Sequence, residues 1–319
     1  MSRTGVGLIC AALLLVLSGC GGLASGAGES PAPRERRARA TPTPAPTKPP
    51  VRVADLLGTD GRLTVLLLGS DRRRKIVGER TDAIIVASID PRRGKVALVS
   101  LPRDTVNVPT APGRVYAGRI NALFFELQAG KGKRKAALKK LRTTLAYAFD
   151  TEIDYYALVD FEGLVRLIET IGGVSVTLDE PLSDPTMHIG KRGLRLKAGT
   201  HELDGTQALA FTRSRHTSSD YDRSRRQHQV LVGAAEGVAA KEGDILPALV
   251  SMVRKKVVTD LPMRAAPALL ELASRVDLDK PRSVVLEPVR WARQLPATYT
   301  IAPRVLEVQK LFDRLFSSG

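Results

Sequence analysis

The chain has 319 residues, and its 49 lysines and arginines against 33 acidic residues give a formal net charge of +16. So basic a chain is compatible with nucleic-acid binding, but aromatic residues make up only 4% of it. Few side chains are therefore available to stack on bases, and the composition together with the export signal described next argues against a nucleic-acid partner.

The N-terminus has the pattern of an export signal. Arg3 precedes the apolar run "VGLICAALLLVL", which is followed by small residues and Cys20 in "LSGC". The run is shorter than the roughly 17–25 residues of a membrane-spanning helix, so residues 1–19 are predicted to be a secretory signal. "LSGC" resembles the bacterial lipobox, which predicts lipidation of Cys20; the alternatives are a chance cysteine in an ordinary signal peptide and an uncleaved anchor. Cys10 lies within the signal, so no disulfide is expected in the mature chain.

Residues 20–52 are rich in Pro, Ala, Gly and Arg and lack apolar periodicity. This composition predicts a disordered tether that lies near anionic lipid or wall polymer. The remaining residues, 53–319, are enough for one large domain with a full core.

Three apolar, β-branched segments predict neighbouring strands at 63–69, 83–90 and 95–101, with the turn "DPRRG" between the second and third. If each strand runs antiparallel to the next, the end of the first, the start of the second and the end of the third meet at one edge of the sheet.

Charged residues cluster at these three strand ends. They are Asp71, Arg73, Arg80, Asp82, Arg103 and Asp104. Strand ends are polar by default, which is the simplest explanation. Carboxylates and arginines together at one edge are also the side chains that a divalent cation and a phosphate ligand require.

Helical periodicity predicts helices at 134–150 and 161–171, and "VSVTL" predicts a further strand. Arg213 and Arg215 follow the apolar segment within 205–216. The histidines show no metal-ligand spacing, and none is assigned to a zinc site. The amphipathic segment "VLEVQKLFDRLF" predicts a closing helix.

The segment "DRSRRQHQVLVG" (222–233) predicts a helix that directs polar residues inward. Arg223, Arg226 and Gln227 share one side with the apolar Val230 and Leu231. Unpaired arginines are rarely buried, and the acidic residues nearby are too few for all of these arginines, which favours a cleft for a phosphate-rich ligand. By contrast, Arg225 lies about 200° around the helix from Arg223, is expected to face away, and is predicted to be dispensable.

Seven segments together resemble the LytR-CpsA-Psr family, which transfers glycopolymers to the bacterial cell wall. They occur in family order over about 63–235. One such motif alone would be weak evidence for the family, whereas seven in order are strong evidence. The segments are "LLLGSDRR", "ERTDAIIVASID", "VALVSLPRDTVNVP", "RINA", "IDYYALVDFEGLVRLIETIGGVSV", "LKAGTHELDGTQALAFTRSR" and "DYDRSRRQHQVL".

The resemblance implies an α/β/α sandwich around a mixed central sheet, with an apolar pocket for a polyprenyl chain. It implies transfer of a glycopolymer from a polyprenyl-pyrophosphate carrier to a peptidoglycan hydroxyl, with Mg²⁺ or Mn²⁺. The lipobox, rather than the resemblance, predicts that the protein is lipid-anchored on the outer face of the cytoplasmic membrane and faces the cell wall. By matching position, Asp71 and Asp82 would hold the metal and act in catalysis with Arg80 and Arg103. The residues implied to contact the pyrophosphate are Arg73, Arg80, Arg103, Arg213, Arg215, Arg223, Arg226 and Gln227.

Several alternatives stay open. The general base could be Asp71, Asp82 or Asp104. A non-catalytic envelope protein that binds polyprenyl-pyrophosphate lipid or phosphate-bearing polymer predicts the same arginines without the paired aspartates. A pyrophosphatase could use the same site, either as the main activity or as a side reaction. The chain also departs from the family in having Arg119 where lysine is commoner and in its lipoprotein-like N-terminus.

Overall fold

The computed structural model describes residues 49–72, 78–128, 134–189, 192–216, 218–241, 245–276, 281–295 and 298–316. The predicted signal, Cys20, most of the predicted tether and Arg73 lie outside these ranges. Within them, none of the helices combines the length and the apolar character needed to cross a membrane.

In chain order, the strands are β1 (Leu63–Ser70), β2 (Thr81–Asp90), β3 (Lys95–Ser100), β4 (Val108–Ala111), β5 (Arg114–Tyr116), β6 (Tyr155–Asp160), β7 (Val174–Leu178), β8 (Leu182–Ile189), β9 (Arg192–Leu196), β10 (Gly199–Leu203), β11 (Val257–Thr259), β12 (Arg282–Val285), β13 (Ala292–Leu295) and β14 (Thr300–Pro303). The helices are α1 (Ile120–Gln128), α2 (Arg134–Phe149), α3 (Phe161–Ile171), α4 (Gly205–Arg213), α5 (Asp220–Ala239), α6 (Leu246–Lys256), α7 (Ala266–Ala273) and α8 (Val305–Phe316).

A mixed sheet with strand order β11-β6-β1-β2-β3-β12 forms the centre. β1 pairs antiparallel with β2, and β2 pairs antiparallel with β3, so the condition set out in the sequence analysis is met. β6 runs parallel to β1, and β12 runs parallel to β3. The near-continuous apolar character of β1 and β2 follows from this position, because both faces of the sheet are covered.

Two apolar cores lie on opposite faces of this sheet. One contains Ile168 of α3, Phe211 of α4 and Leu249 of α6, packed against Val65 and Ile89. The other contains residues of α1, α2 and α8, packed against the alternate residues of β1 and β2. The predicted three-layer α/β/α sandwich with a mixed sheet is therefore confirmed.

Most predicted elements are present with small shifts at their ends. β2 begins two residues earlier than predicted, and α2, α3 and α8 match the periodic segments. The helix of the segment 222–233 is α5, which begins with a capping box: the Ser219 side chain accepts from the Asp222 N–H, and the Asp222 carboxylate accepts from the Ser219 N–H. This cap satisfies backbone N–H groups at the start of α5 that have no partner within the helix.

Candidate active site

The three charged strand ends do meet at one edge of the sheet. Ser70 at the end of β1 pairs with Thr81 at the start of β2, and Ile85 pairs with Ser100 at the end of β3. Asp71 and Arg80 then close the β1–β2 connection: the Asp71 N–H donates to the Arg80 carbonyl, and the Arg80 N–H donates to Asp71 Oδ1 at 2.8 Å. The Arg80 side chain is exposed.

Asp82 contacts side chains from two other segments at this edge. Its Oδ1 accepts from Arg103 Nη1 at 3.1 Å and from Asn121 Nδ2 at 3.3 Å. Its backbone carbonyl accepts from Arg223 Nη2 at 3.1 Å. Asp82 thus joins the segment after β3 to the first turns of α1 and α5. Asn121 belongs to the quoted "RINA" motif, but sequence analysis gave it no role.

Asp220, which sequence analysis did not single out, is the centre of the arginine cluster. Its Oδ1 lies 3.0 Å from Arg223 Nη1, 3.4 Å from Arg215 Nη1 and 3.6 Å from Arg103 Nε. The i,i+3 spacing of Asp220 and Arg223 at the start of α5 was the available sequence signal. The contacts to Arg103 and Arg215 depend on tertiary structure.

Internal carboxylates compensate more of the arginine charge than the sequence suggested. Asp82 and Asp220 pair with Arg103, and Asp104 lies 3.6 Å from its Nε. The expectation that nearby acidic residues are too few is therefore wrong for Arg103 and Arg223. The compensation is incomplete, however, because the Nε atoms of both arginines are buried and have no hydrogen-bond partner within the described residues.

The two central arginines respond differently to this environment. Burial lowers the pKa of Arg223, although Asp220 opposes the shift. Burial acts in the same direction on Arg103, but the carboxylates of Asp82, Asp220 and Asp104 outweigh it and raise its pKa. Both side chains remain cationic, because an arginine is not deprotonated in proteins.

Arg213 and Arg215 approach the same site from the end of α4. The Arg213 guanidinium lies 4.4 Å from the centroid of the Phe161 ring, a cation–π contact. The buried Asp184 shapes the backbone after α4, accepting from the Ser214 hydroxyl and from the N–H groups of Arg215 and His216.

Burial raises the pKa of Asp184, but these hydrogen bonds and those from Thr186 outweigh it and hold that pKa far below its usual range. Asp184 is thus a buried anion that positions the segment carrying Arg215. It was missed because it lies in a polar strand 31 residues before Arg215.

A cavity of about 650 Å³ opens at this cluster. One part is apolar and lies between β1, β6 and helices α3 to α6, with walls from Leu67, Leu164, Leu167, Leu209, Leu231 and Met252. The other part carries the polar residues Asp82, Arg103, Arg213, Arg215, Arg223 and Gln227. This arrangement suits a ligand with an anionic head and an apolar tail.

Arg226 has a different set of partners from the predicted one. It is buried, and its guanidinium donates to the carbonyls of Phe211 and Ser214 and to the Ser218 hydroxyl. It is not among the residues that line the cavity. Its contacts attach α5 to the end of α4, which favours a structural role over pyrophosphate binding.

Arg225 faces away from the cavity, as predicted. Its side chain is 48% exposed and pairs with Asp222 at 2.8 Å and Glu287 at 2.7 Å. The adjacent residues Arg225 and Arg226 therefore differ completely in environment, which makes them useful for comparison.

The carboxylates of this edge have the right chemistry for a hard cation. The buried hydroxyls of Ser70 and Thr81, which precede Asp71 and Asp82, have no hydrogen-bond partner within the described residues. Carboxylate and hydroxyl oxygens are suitable ligands for Mg²⁺, which usually takes one or two carboxylates and completes its shell with water or phosphate oxygens. In the ranges that the structure describes, no group of three or more His, Cys, Asp or Glu side chains gathers into a metal site.

The fold and the cavity define an α/β/α protein with an amphipathic binding site whose polar end is lined by arginines. The chain belongs to the LytR_cpsA_psr family, whose model matches residues 32–315.

Among curated proteins, the polyisoprenyl-teichoic acid–peptidoglycan teichoic acid transferase TagU of Oceanobacillus iheyensis is 34% identical over 216 residues, which cover 65% of this chain and 62% of that protein. The protein of the same name from Bacillus cereus is 31% identical over 205 residues, covering 62% of this chain and 61% of that protein. The chain therefore spans about three fifths of the length of these relatives.

Solved structures show the same fold. The crystal structure of B. subtilis TagV has a TM-score of 0.65 at 22% identity and covers 81% of this chain and 97% of that chain. The structure of TagT bound to LIIa-WTA has a TM-score of 0.59 at 24% identity and covers 80% of this chain and 89% of that chain.

Proposed function

We propose that this protein is an extracytoplasmic phosphotransferase that moves a glycopolymer from a polyprenyl-pyrophosphate carrier to a sugar hydroxyl of peptidoglycan. The observation that carries the proposal is the cavity with an arginine-lined end and an apolar end. Its two parts match the pyrophosphate and the polyprenyl chain of such a donor. The TagU relatives are named as transferases of teichoic acid to peptidoglycan, which supports the same reaction class here.

In the proposed reaction, the acceptor hydroxyl attacks the sugar-side phosphorus of the pyrophosphate. The new O–P bond forms as the bond between that phosphorus and the bridging oxygen breaks. Polyprenyl phosphate leaves, and the proton of the hydroxyl passes to a base or to solvent. The product is a phosphodiester between polymer and peptidoglycan.

The protein would contribute mainly charge and position to this reaction. Arg103, Arg215 and Arg223 would stabilise negative charge on the phosphate oxygens, and the apolar walls would hold the leaving lipid. Asp71 and Asp82 would hold Mg²⁺ or Mn²⁺, which when bound neutralises charge on the phosphate oxygens. The buried Nε–H groups of Arg103 and Arg223, which have no hydrogen-bond partner among the described residues, are donors that a bound phosphate could satisfy.

The proposal includes attachment to the membrane through lipidated Cys20, on the face of the cytoplasmic membrane that is turned to the wall. Two acyl chains would give stable attachment, and the basic tether would lie against anionic headgroups. Replacement of Cys20 by Ser, followed by mass spectrometry of the membrane fraction, tests this part separately from the chemistry.

The central experiment combines the full chain with a glycosyl-pyrophosphoryl-polyprenyl donor, uncross-linked peptidoglycan and Mg²⁺, and detects product by mass spectrometry. We expect a phosphodiester-linked product whose rate falls at least about a hundredfold in Arg223→Ala, because an oriented charge is lost from the phosphate site. The matched control is Arg225→Ala, two positions along the same helix, which should stay within about twofold of wild type because its ion pairs are exposed.

The remaining candidate functions give different outcomes. Donor binding without product, under varied acceptors, would support a non-catalytic lipid-binding protein. Release of polyprenyl phosphate with water as the only acceptor would indicate a pyrophosphatase. Asp71→Asn and Asp82→Asn, each with retained lipid binding and lost turnover, would support the transferase with a metal. Turnover that survives metal chelation would contradict the metal assignment.

A further inference from the structure

The region beyond Arg103, on the side away from the apolar cavity, also carries an organised set of side chains. Arg119 Nη1 lies 3.2 Å from Asp104 Oδ1, and Asp104 Oδ2 lies 3.6 Å from Arg103 Nε. Arg119 Nη2 also donates to the Thr298 carbonyl at 3.4 Å. A continuous chain of contacts therefore links the phosphate site to the segment before β14.

Tyr299 in this segment has two unusual properties. Its side chain is 85% exposed, the largest exposed fraction among the large hydrophobic residues described as exposed. Its backbone has φ of +50°, a left-handed conformation that residues with a Cβ seldom adopt. Such outliers persist where surrounding structure enforces them and are frequent at functional sites.

The position of Tyr299 is fixed by the body of the protein. The N–H of Ile301 donates to the Asp104 carbonyl, and the N–H of Val106 donates to the Ile301 carbonyl. The strand that follows Tyr299 is thus attached directly to the backbone that follows Arg103. The residues on either side of Tyr299 therefore contact the residues of the Arg119–Asp104 ion pair: the Thr298 carbonyl accepts from Arg119, and the Ile301 N–H donates to the Asp104 carbonyl.

The order of strands separates this region from the lipid cavity. Within the central sheet the cavity is lined by β1, β2, β6 and β11, and β8 adds residues from outside that sheet. Asp104, Arg119 and Tyr299 lie on the β3 side and do not line the cavity. In an in-line displacement, the nucleophile approaches opposite the leaving group. If polyprenyl phosphate leaves into the cavity, the acceptor must arrive from the β3 side.

We propose that Tyr299, Arg119 and Asp104 form the acceptor subsite, which holds the sugar ring that carries the attacking hydroxyl. This inference rests on the proposed function. The Tyr299 ring offers a flat apolar surface with a polar edge, which complements the apolar face of a pyranose. Arg119 supplies hydrogen-bond donors and Asp104 supplies acceptor oxygens for the sugar hydroxyls.

The first test measures glycan binding without any turnover. The full chain, purified in detergent, is titrated with uncross-linked peptidoglycan glycan strands and followed by saturation-transfer NMR. We expect wild type and Tyr299→Phe to bind, and Tyr299→Ala to bind about tenfold more weakly, the effect of losing one aromatic contact. The matched control is Tyr147→Ala, an exposed tyrosine on α2, which should bind like wild type. Absence of binding by wild type, or equal binding by Tyr299→Ala, would overturn the proposal.

The second test separates acceptor from donor in steady-state turnover. Tyr299→Ala should raise the KM for glycan about tenfold while leaving the KM for the lipid-linked donor unchanged. A rise confined to the donor KM would place the donor sugars at Tyr299 and overturn the acceptor assignment. If wild type binds glycan through Tyr299 but forms no phosphodiester, the proposed transferase function fails while the glycan subsite stands.

Discussion

His228 lies on the inner side of α5, and its two ring nitrogens contact the hydroxyls of Ser100 and Ser283. Burial, with a smaller effect of Arg225, lowers the pKa of its imidazole to about 4. An unperturbed histidine titrates near pH 6.5, so the unfolded chain binds this proton at higher pH than the folded protein does. The stability that His228 contributes is therefore complete above about pH 6.5 and is lost as the pH falls towards 4.

We expect this one residue to lower the free energy of unfolding by roughly 3 kcal/mol between about pH 6.5 and 4. Urea denaturation of wild type and of His228→Gln across this pH range measures the effect. Glutamine is chosen because its amide keeps hydrogen-bonding groups but does not titrate. Burial raises the pKa of Asp154 to about 6, which gives an opposite trend, but this group is present in both proteins. Parallel stability curves for the two proteins would contradict the assignment.

At the scale of elements, α5 is the helix that connects the site to the fold. Arg223 faces the site from its first turn, and Arg226, one turn further on, attaches the helix to α4. The capping box at Ser219 satisfies backbone N–H groups at the start of α5, and the position of each arginine along the helix decides which way it faces. Since successive residues are about 100° apart, neighbouring arginines in one segment have unrelated environments.

We expect Arg226→Ala to lower the free energy of unfolding by about 2–4 kcal/mol, because it leaves buried carbonyls of α4 without a donor. Arg225→Ala should change it by less than about 0.5 kcal/mol, since it removes only exposed ion pairs. Chemical denaturation of both variants, together with a lipid-binding measurement, tests the contrast. If Arg226→Ala binds the lipid-linked substrate more weakly while its stability is unchanged, Arg226 has the predicted role in pyrophosphate binding after all.

At the scale of the whole molecule, the cavity exists because α3, α4, α5 and α6 cover one face of the sheet without filling the space beside β1 and β6. Its apolar part should bind the lipid in proportion to the buried apolar area. Affinity should therefore increase with the chain length of the prenyl pyrophosphate until the available space is filled.

Leu164→Trp should raise the KM for a long-chain donor at least about tenfold, since the larger side chain occupies the space meant for the lipid. Binding of a short-chain prenyl pyrophosphate should change much less, which distinguishes a filled cavity from a misfolded protein. Leu306→Trp is the matched control, because Leu306 is 70% exposed at the start of α8. Equal losses for long and short chains would show that the lipid lies elsewhere.

Local patterns were sufficient for most of the fold. The apolar segments predicted the strands β1, β2 and β3, and "DPRRG" predicted a turn between the last two, because strand length and turn chemistry are local properties. Their antiparallel order was a condition that the structure meets. The same order placed Asp71, Asp82 and Arg103 at one edge. Helical spacing also predicted that Arg223 faces inward and Arg225 faces away, since the direction of a side chain around a helix depends on its position in the sequence.

The partners of the inward side chains could not be predicted, because they come from distant segments of the chain. Asp220 gathers Arg103, Arg215 and Arg223 from three separate segments. Arg226 is buried and does not line the cavity, because its guanidinium donates to backbone carbonyls at the end of α4. Most of the central elements, the inward side of α5 and the family resemblance could therefore be predicted from the sequence. The cavity, the sharing of carboxylates and the place of Tyr299 depend on contacts between distant segments, which no local pattern encodes.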